Sequence, residues 1–292
     1  MIRPFLFIIA FGFLLSAHAQ DSTEFNSRKF NTYLIGTAAV YSGTLIGLQA
    51  LWYSDSEQRS FHFFNDNSQW KQVDKIGHAY SSYQLGRISY DLLKNAGVPR
   101  KKAVFWGGLT GFLMLTPVEI LDGFAQDYGA SYGDLIANAA GSGILMTQLY
   151  LWDEIRIKPK FSFHRTSYSK DNPQLLGSNF YEEIFKDYNG QSYWLSVDIN
   201  AFVKSENRFV KWVNIALGYG AEDMLIARDG PNRILGYHPY RQFYLGLDPD
   251  LSHLKGQNKW LNTVIYILDG IKLPGPTLVI QRDKVLFRPL YF

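Results

Sequence analysis

The 292-residue chain contains no cysteine. That absence excludes disulfides, thiolate zinc sites, cysteine nucleophiles and lipid attachment through an N-terminal cysteine within these residues. Charge is scarce as well. Charged residues make up 19% of the sequence, below the roughly 25% of soluble domains. With 29 Lys and Arg against 26 Asp and Glu, the formal net charge is +3. A balance so close to zero gives no electrostatic footprint for nucleic acid. No internal repeat or low-complexity tract is visible. The surplus is aromatic: 19 Tyr, 21 Phe and 7 Trp, within an apolar fraction of 47%. Such a composition argues against disorder, and the length allows one large or two modest cores.

The first residues read as an export signal. Met1-Ile2-Arg3 is a short positive start, Phe5 to Leu15 is an apolar run, and Ala17-His18-Ala19 is a small-x-small site followed by polar residues. This pattern predicts a signal peptide over 1–19, cleaved after Ala19, and export into a bacterial cell envelope. The apolar run is short for a bilayer span.

Three uncharged runs follow. Phe30 to Ser54 ends in the aromatic pair Trp52-Tyr53, Ala103 to Val118 follows Arg100-Lys101-Lys102, and Leu135 to Trp152 again ends in aromatics. Their lengths and closing aromatics suit membrane helices. Ile76 to Leu93 is amphipathic and reads as a fourth helix, in the bundle or at the interface. Glycines recur in these segments, and small residues let helices approach closely within lipid. A soluble bundle of buried, glycine-rich helices is the competing reading.

Beyond Asp153 the texture changes to alternation. Tyr193, Leu195, Val197, Ile199 and Ala201 share one face of a candidate strand, with Trp194, Ser196, Asp198 and Asn200 on the other. Arg241 to Asp248, Thr277 to Gln281 and Val285 to Leu290 are further candidates, and Trp260 to Ile271 reads as a helix stopped by Pro274 and Pro276. Gly218-Tyr219-Gly220-Ala221 fits a helix end or a turn. Four or five strands are too few for an outer-membrane barrel, which needs at least about eight. The fold class expected is therefore α+β: a membrane-associated bundle of about four helices over 30–152, a linker over 153–178, and a mixed, strand-containing region over 179–292.

Three polar pairs stand about one helical turn apart: Asp74 with His78, Glu119 with Asp122, and Asp134 with Asn138. The first pair begins one helix, the second ends the next, and the third begins the one after. Helices running up, down and up gather all three pairs at one end of the bundle. Ionisable groups at membrane depth are a functional-site hypothesis by default. Carboxylates with one imidazole and no thiolate suit a divalent cation such as Mg, Mn or Zn, held by Asp74, His78, Glu119 and Asp134. They also suit acid–base catalysis by Asp74, His78, Glu119, Asp122 and Asp134. Lys75, Ser82, Ser131 and Asn138 are neighbouring candidates for ligand binding. A purely structural network, with acids at helix starts and His78 bridging helices, accounts for the same residues. Gly129-Ala130-Ser131-Tyr132-Gly133 matches Gly-x-Ser-x-Gly, but no apolar strand precedes Ser131 as a hydrolase elbow requires.

These residues carry a resemblance. Asp74-Lys75-x-x-His78, Glu119-x-x-Asp122 and Ser131-x-x-Asp134-x-x-x-Asn138-x-x-Gly141 resemble the pattern of the YfiM-like family, a domain of unknown function labelled a predicted periplasmic lipoprotein. More distantly they are similar to VanZ-like membrane proteins. The resemblance spans roughly Thr32 to Trp152. No cysteine follows the signal, Asp122 stands where VanZ-like proteins carry Gln, and the Arg before their third motif is absent. The family implies a periplasmic or envelope location and no particular reaction. Two functions are therefore expected. One is a non-enzymatic envelope protein in contact with membrane lipid, at the inner membrane or periplasm rather than the outer membrane, whose cluster is structural or binds a cation or polar headgroup. The other is a metal-assisted or acid–base enzyme acting on a lipid or cell-wall precursor.

Overall fold

The computed structural model describes residues 24–48, 57–126 and 129–292. The expected signal peptide, Trp52 and Tyr53 lie outside these residues. The fold is α+β, and the chain divides into two compact units. His78–Glu154 belongs to a helical unit. Ser68–Gly77 joins Ile155–Phe292 in a unit built on a sheet.

The long helices are α1 (Ser27–Leu48), α2 (Val73–Asn95), α3 (Arg100–Gly123) and α4 (Tyr132–Trp152). Local chemistry sets their ends. Pro99 stands at the N-cap of α3, where a missing N–H costs nothing. Ser131 caps α4 by accepting from the Asp134 N–H, and Asp153 leaves that helix in the left-handed conformation. A two-residue parallel pair, β1 (Phe63–Phe64) with β2 (Ala130–Ser131), fixes the chain just before α4. Two glycines allow the backbone of α2 to touch its neighbours. A Cβ on Gly111 of α3 would lie 1.9 Å from the Ser82 carbonyl oxygen, and one on Gly141 of α4 would lie 2.0 Å from that of Ala79.

The interior of this unit mixes apolar side chains such as Leu85, Leu115 and Leu145 with polar ones. Ser81, Ser82, Gln84, Arg87, Ser142 and Gln148 are buried, whereas Leu34, Ile35, Trp106, Leu113, Ile136 and Leu151 are exposed. Of the four membrane helices expected, one among the described residues, Arg100–Gly123, is long and apolar enough to cross a membrane by length and composition.

The second unit holds six antiparallel strands in sequence order: β3 (Ile157–Phe163), β4 (Gln191–Val197), β5 (Val213–Glu222), β6 (Tyr240–Pro249), β7 (Gly275–Gln281) and β8 (Lys284–Tyr291). The register aligns Leu195, Leu217, Leu245, Leu278 and Phe287 in one row across five strands. On the opposite face Trp194, Ala216, Tyr244 and Val279 form a core cluster. The rings of Trp194, Tyr244 and Tyr291, from β4, β6 and β8, lie 5.0–6.3 Å apart by centroid. Strands four places apart would be about 19 Å apart on a flat sheet, so this sheet is curled around those rings. The same concave face holds charge. Lys160 Nζ pairs with Asp248 at 2.6 Å, and Lys158 Nζ with Asp269 at 3.0 Å. Lys272 donates to the Leu247 carbonyl at 2.9 Å and lies 5.2 Å from the centre of the Trp194 ring. Burial pushes the Lys272 ammonium below its ordinary range, and Asp248 opposes that shift.

Several expectations are corrected here. Residues 157–163 form a strand rather than part of a linker. Its inward positions are Lys158, Lys160 and Ser162, so a buried charged face looks like solvent-exposed sequence. The ambiguous Gly218–Ala221 segment is the middle of β5, where Gly218 makes room for the Trp194 ring. With β3 and β5 the strand number is six. The strand expected over Ser192 to Ala201 stops at Val197, because the Asp198 side chain accepts from the Ala201 N–H and starts the short helix Ile199–Val203.

His164 is half-buried after β3. Burial lowers its pKa from the ordinary 6.5, against Glu222 and Asp187, which raise it. The unfolded chain therefore binds this proton more readily than the folded one, and stability rises with pH through that window. Wild-type stability is expected to fall as pH drops below 6.5, and His164→Gln to flatten that slope in denaturant unfolding followed from pH 7.5 to 5.5. The glycine contacts give a second expectation. Gly141→Ala forces a methyl against a backbone oxygen and should cost about 1–3 kcal/mol. Gly43→Ala, where a Cβ meets nothing within 4 Å, should leave the midpoint of thermal unfolding unchanged or slightly raised.

Candidate functional site

The polar cluster is assembled from three helix ends. His78 and Ser82 lie one turn apart near the start of α2, Glu119 and Asp122 near the end of α3, and Asp134 and Asn138 in the first turns of α4. His78, Glu119, Asp122, Asp134 and Asn138 are each no more than 5% exposed. His78 Nδ1 lies 3.2 Å from Asn138 Oδ1 and 3.7 Å from Glu119 Oε1. Its Nε2 lies 3.9 Å from Asp134 Oδ2. An amide oxygen only accepts, so Nδ1 carries a proton, and the other ring nitrogen, Nε2, faces Asp134. That is the arrangement of a histidine ligand oriented by its second nitrogen.

Ser131 organises the acidic side. Its hydroxyl donates to Asp66 Oδ1 at 2.6 Å and accepts from the Asp134 N–H at 3.1 Å. Its own N–H donates to Glu119 Oε2 at 3.3 Å. Asp134 stands in the first turn of α4, where the helix dipole favours a carboxylate. The Ser82 hydroxyl donates to the Asn138 carbonyl at 2.6 Å and lies 3.0 Å from the Ser142 hydroxyl, which accepts from the Phe112 N–H at 3.1 Å. Three helices are thereby tied together one turn below His78.

Asp74 precedes His78 by one turn of the same helix. Tyr188 donates to its Oδ1 at 2.7 Å, and the half-buried Lys75 lies 3.4 Å from its Oδ2. The chain enters α2 through three consecutive left-handed residues, Trp70, Lys71 and Gln72. Each is unfavourable by about 1–2 kcal/mol for an L-residue. Their anchors are the Trp70 N–H to the Ala227 carbonyl at 2.8 Å, the Tyr219 hydroxyl to the Lys71 carbonyl, the Lys71–Asp229 ion pair, and Arg241 to Gln72 Oε1 at 2.6 Å.

His78, Glu119, Asp134, Asn138, Ser131 and Ser82 are thus brought into one network. Asp122 is buried on the next turn after Glu119, and Lys75 pairs with its neighbour Asp74. Sequence reasoning missed Asp66 and Ser142. Asp66 lies in Asn65-Asp66-Asn67-Ser68, a stretch without helical phase, and is placed by the β1–β2 pairing. Ser142 lies one turn beyond Asn138, a spacing that could have identified it. Among the described residues of the helical unit, the buried charged groups are Asp66, Glu119, Asp122 and Asp134 against Arg87, with His78 able to add a second positive charge. Buried carboxylates in such excess call for protons or a cation.

Residues 62–150 match the family described as Predicted periplasmic lipoprotein (DUF2279). The match covers the three polar pairs. The 292 residues offer no cysteine for a lipoprotein's anchor. No curated protein and no solved structure matches the chain.

The Ser131 hydroxyl is held as a cap rather than presented as a nucleophile. Ser131→Ala should lower stability by about 1–2 kcal/mol, read in equilibrium unfolding. Fluorophosphonate labelling of Ser131 in the native protein would contradict this assignment.

Proposed function

We propose that the chain is an exported protein of the bacterial cell envelope whose helical unit contacts membrane lipid and whose polar cluster binds a divalent cation. The observation that carries the cation reading is the buried His78 imidazole set between two carboxylates of the same unit, its Nδ1 3.7 Å from Glu119 Oε1 and its Nε2 3.9 Å from Asp134 Oδ2. The excess of buried carboxylates gives the cation its electrostatic reason, and Glu119 helps orient the ring. An oxygen-rich set with one imidazole suits Mn²⁺ or Zn²⁺ better than Ca²⁺, which prefers six to eight oxygens. Envelope placement is supported by the family match over residues 62–150 and by the resemblance of the motifs to YfiM-like proteins. Lipid contact is supported by the exposed Leu34, Ile35, Leu113, Ile136 and Leu151.

Carboxylates beside an imidazole could also run acid–base chemistry. Binding is preferred because Ser131, Ser82 and Asn138 enclose the cluster in hydrogen bonds.

The test uses the detergent-purified full chain, dialysed against Mn²⁺ or Zn²⁺ and analysed for bound metal. About one ion per chain is expected, with affinity reduced at least ~100-fold in His78→Ala and Asp134→Asn, as for lost ligands. Absence of metal from the wild type, with both variants sharply destabilised, would make the cluster a helix-packing network and overturn the proposal.

A further inference from the structure

The sheet unit carries an inversion of polarity, independent of the cluster. Strand alternation assigns one set of side chains to the concave face and the other to the convex face. The concave set includes Lys158, Lys160 and Asp248, each at most 8% exposed. The convex set includes Leu217, Phe243, Leu245, Leu278, Ile280 and Phe287, each between 38% and 63% exposed. These six are neighbours by register: Leu217–Leu245–Leu278–Phe287 form one row, and Phe243–Ile280 sit together in the next. The middle of the sheet therefore turns an apolar surface outward while Lys158, Lys160 and Asp248 lie inside. An antiparallel sheet in water does the reverse.

We infer that this convex face is immersed in the acyl region of one membrane leaflet. Three observations select lipid as its occupant. The face is convex, as the mutual contact of Trp194, Tyr244 and Tyr291 requires. A rigid second copy of the same convex surface would touch it only along a line, whereas fluid acyl chains conform to it. The exposed middle of the face lacks charge, and its polar outward residue, Arg241, stands at one end, bonded to the Tyr219 hydroxyl at 3.1 Å. The helix Lys259–Leu268, which precedes β7, exposes Trp260, Leu261 and Val264. Lys255 Nζ lies 6.0 Å from the centre of the Tyr266 ring on the same helix. An exposed Trp, an apolar stripe and a nearby Lys are the marks of a helix lying at an interface. Immersion in one leaflet, rather than a spanning barrel, follows from the strand edges. The β3 edge is covered, since Phe161 bonds Gly270 and Lys272 through its backbone at 3.0 and 2.8 Å. Among the described residues, β8 pairs with β7 alone, and open sheet edges do not cross hydrocarbon.

The absence of cysteine makes the test direct. Single variants Leu217→Cys, Leu245→Cys and Leu278→Cys, with Asp283→Cys in the exposed β7–β8 turn as reference, are labelled with a bimane fluorophore. The full chain is then reconstituted into phosphatidylethanolamine–phosphatidylglycerol vesicles. Quenching by doxyl-labelled lipid is compared with quenching by aqueous iodide, and each variant's far-ultraviolet spectrum confirms that it folds. Labels on the convex face should be quenched about threefold or more strongly by doxyl lipid than the Asp283→Cys label, and less by iodide, as expected for lipid-facing strand positions. Iodide quenching equal to that of the turn would overturn the inference by showing a water-exposed face. Protection from both quenchers that fades on dilution would overturn it in favour of a second copy.

Discussion

The contact of α2 with its two neighbours sets the distances in the polar cluster. Backbone oxygens of Ala79 and Ser82 occupy the space that side chains at Gly141 and Gly111 would fill. With the helices that close, His78 reaches Glu119 on one and Asp134 and Asn138 on the other without spacer residues. The same proximity lets Ser82 and Ser142 bond across the helices. A methyl group at either glycine would push α2 outward and lengthen every one of these contacts.

Both units bury charged side chains and expose apolar ones. Buried charge is stable only when paired and hydrogen-bonded, and removing one partner of such a pair typically costs about 3–5 kcal/mol. The sheet unit meets this condition within itself, through Lys158 with Asp250 and Asp269 and through Lys160 and Lys272 with Asp248. Among the described residues of the helical unit, buried acids outnumber buried bases. That difference separates a scaffold from a candidate ligand site: the sheet's charges neutralise one another, whereas the cluster has room in its charge balance for a cation.

Ser131 shows how one residue can look catalytic and be architectural. The Gly-x-Ser-x-Gly match falls where β2 runs into α4. The serine at its centre caps the new helix, holds Asp66, and offers its backbone N–H to Glu119. The three left-handed residues before α2 are held within the sheet unit, by contacts from Tyr219, Asp229, Arg241 and Ala227.

The sequence by itself determined the α+β class, the long helices, the helix ends on which the three polar pairs lie, and four of the six strands. Each of these rests on local periodicity, spacing or turn chemistry, which a short window of residues contains. It also contained the convergence of His78, Glu119 and Asp134, because an up, down and up order follows from short connections. Only the tertiary structure decided which face of each element is inside. β3 looked like a linker because Lys158 and Lys160 are buried, and burial of a lysine depends on Asp248 and Asp269, some ninety or more residues away. Asp66 joined the site through strand pairing. Polarity patterns report that two faces differ, and the partners that neutralise buried charge decide which of the two the protein encloses.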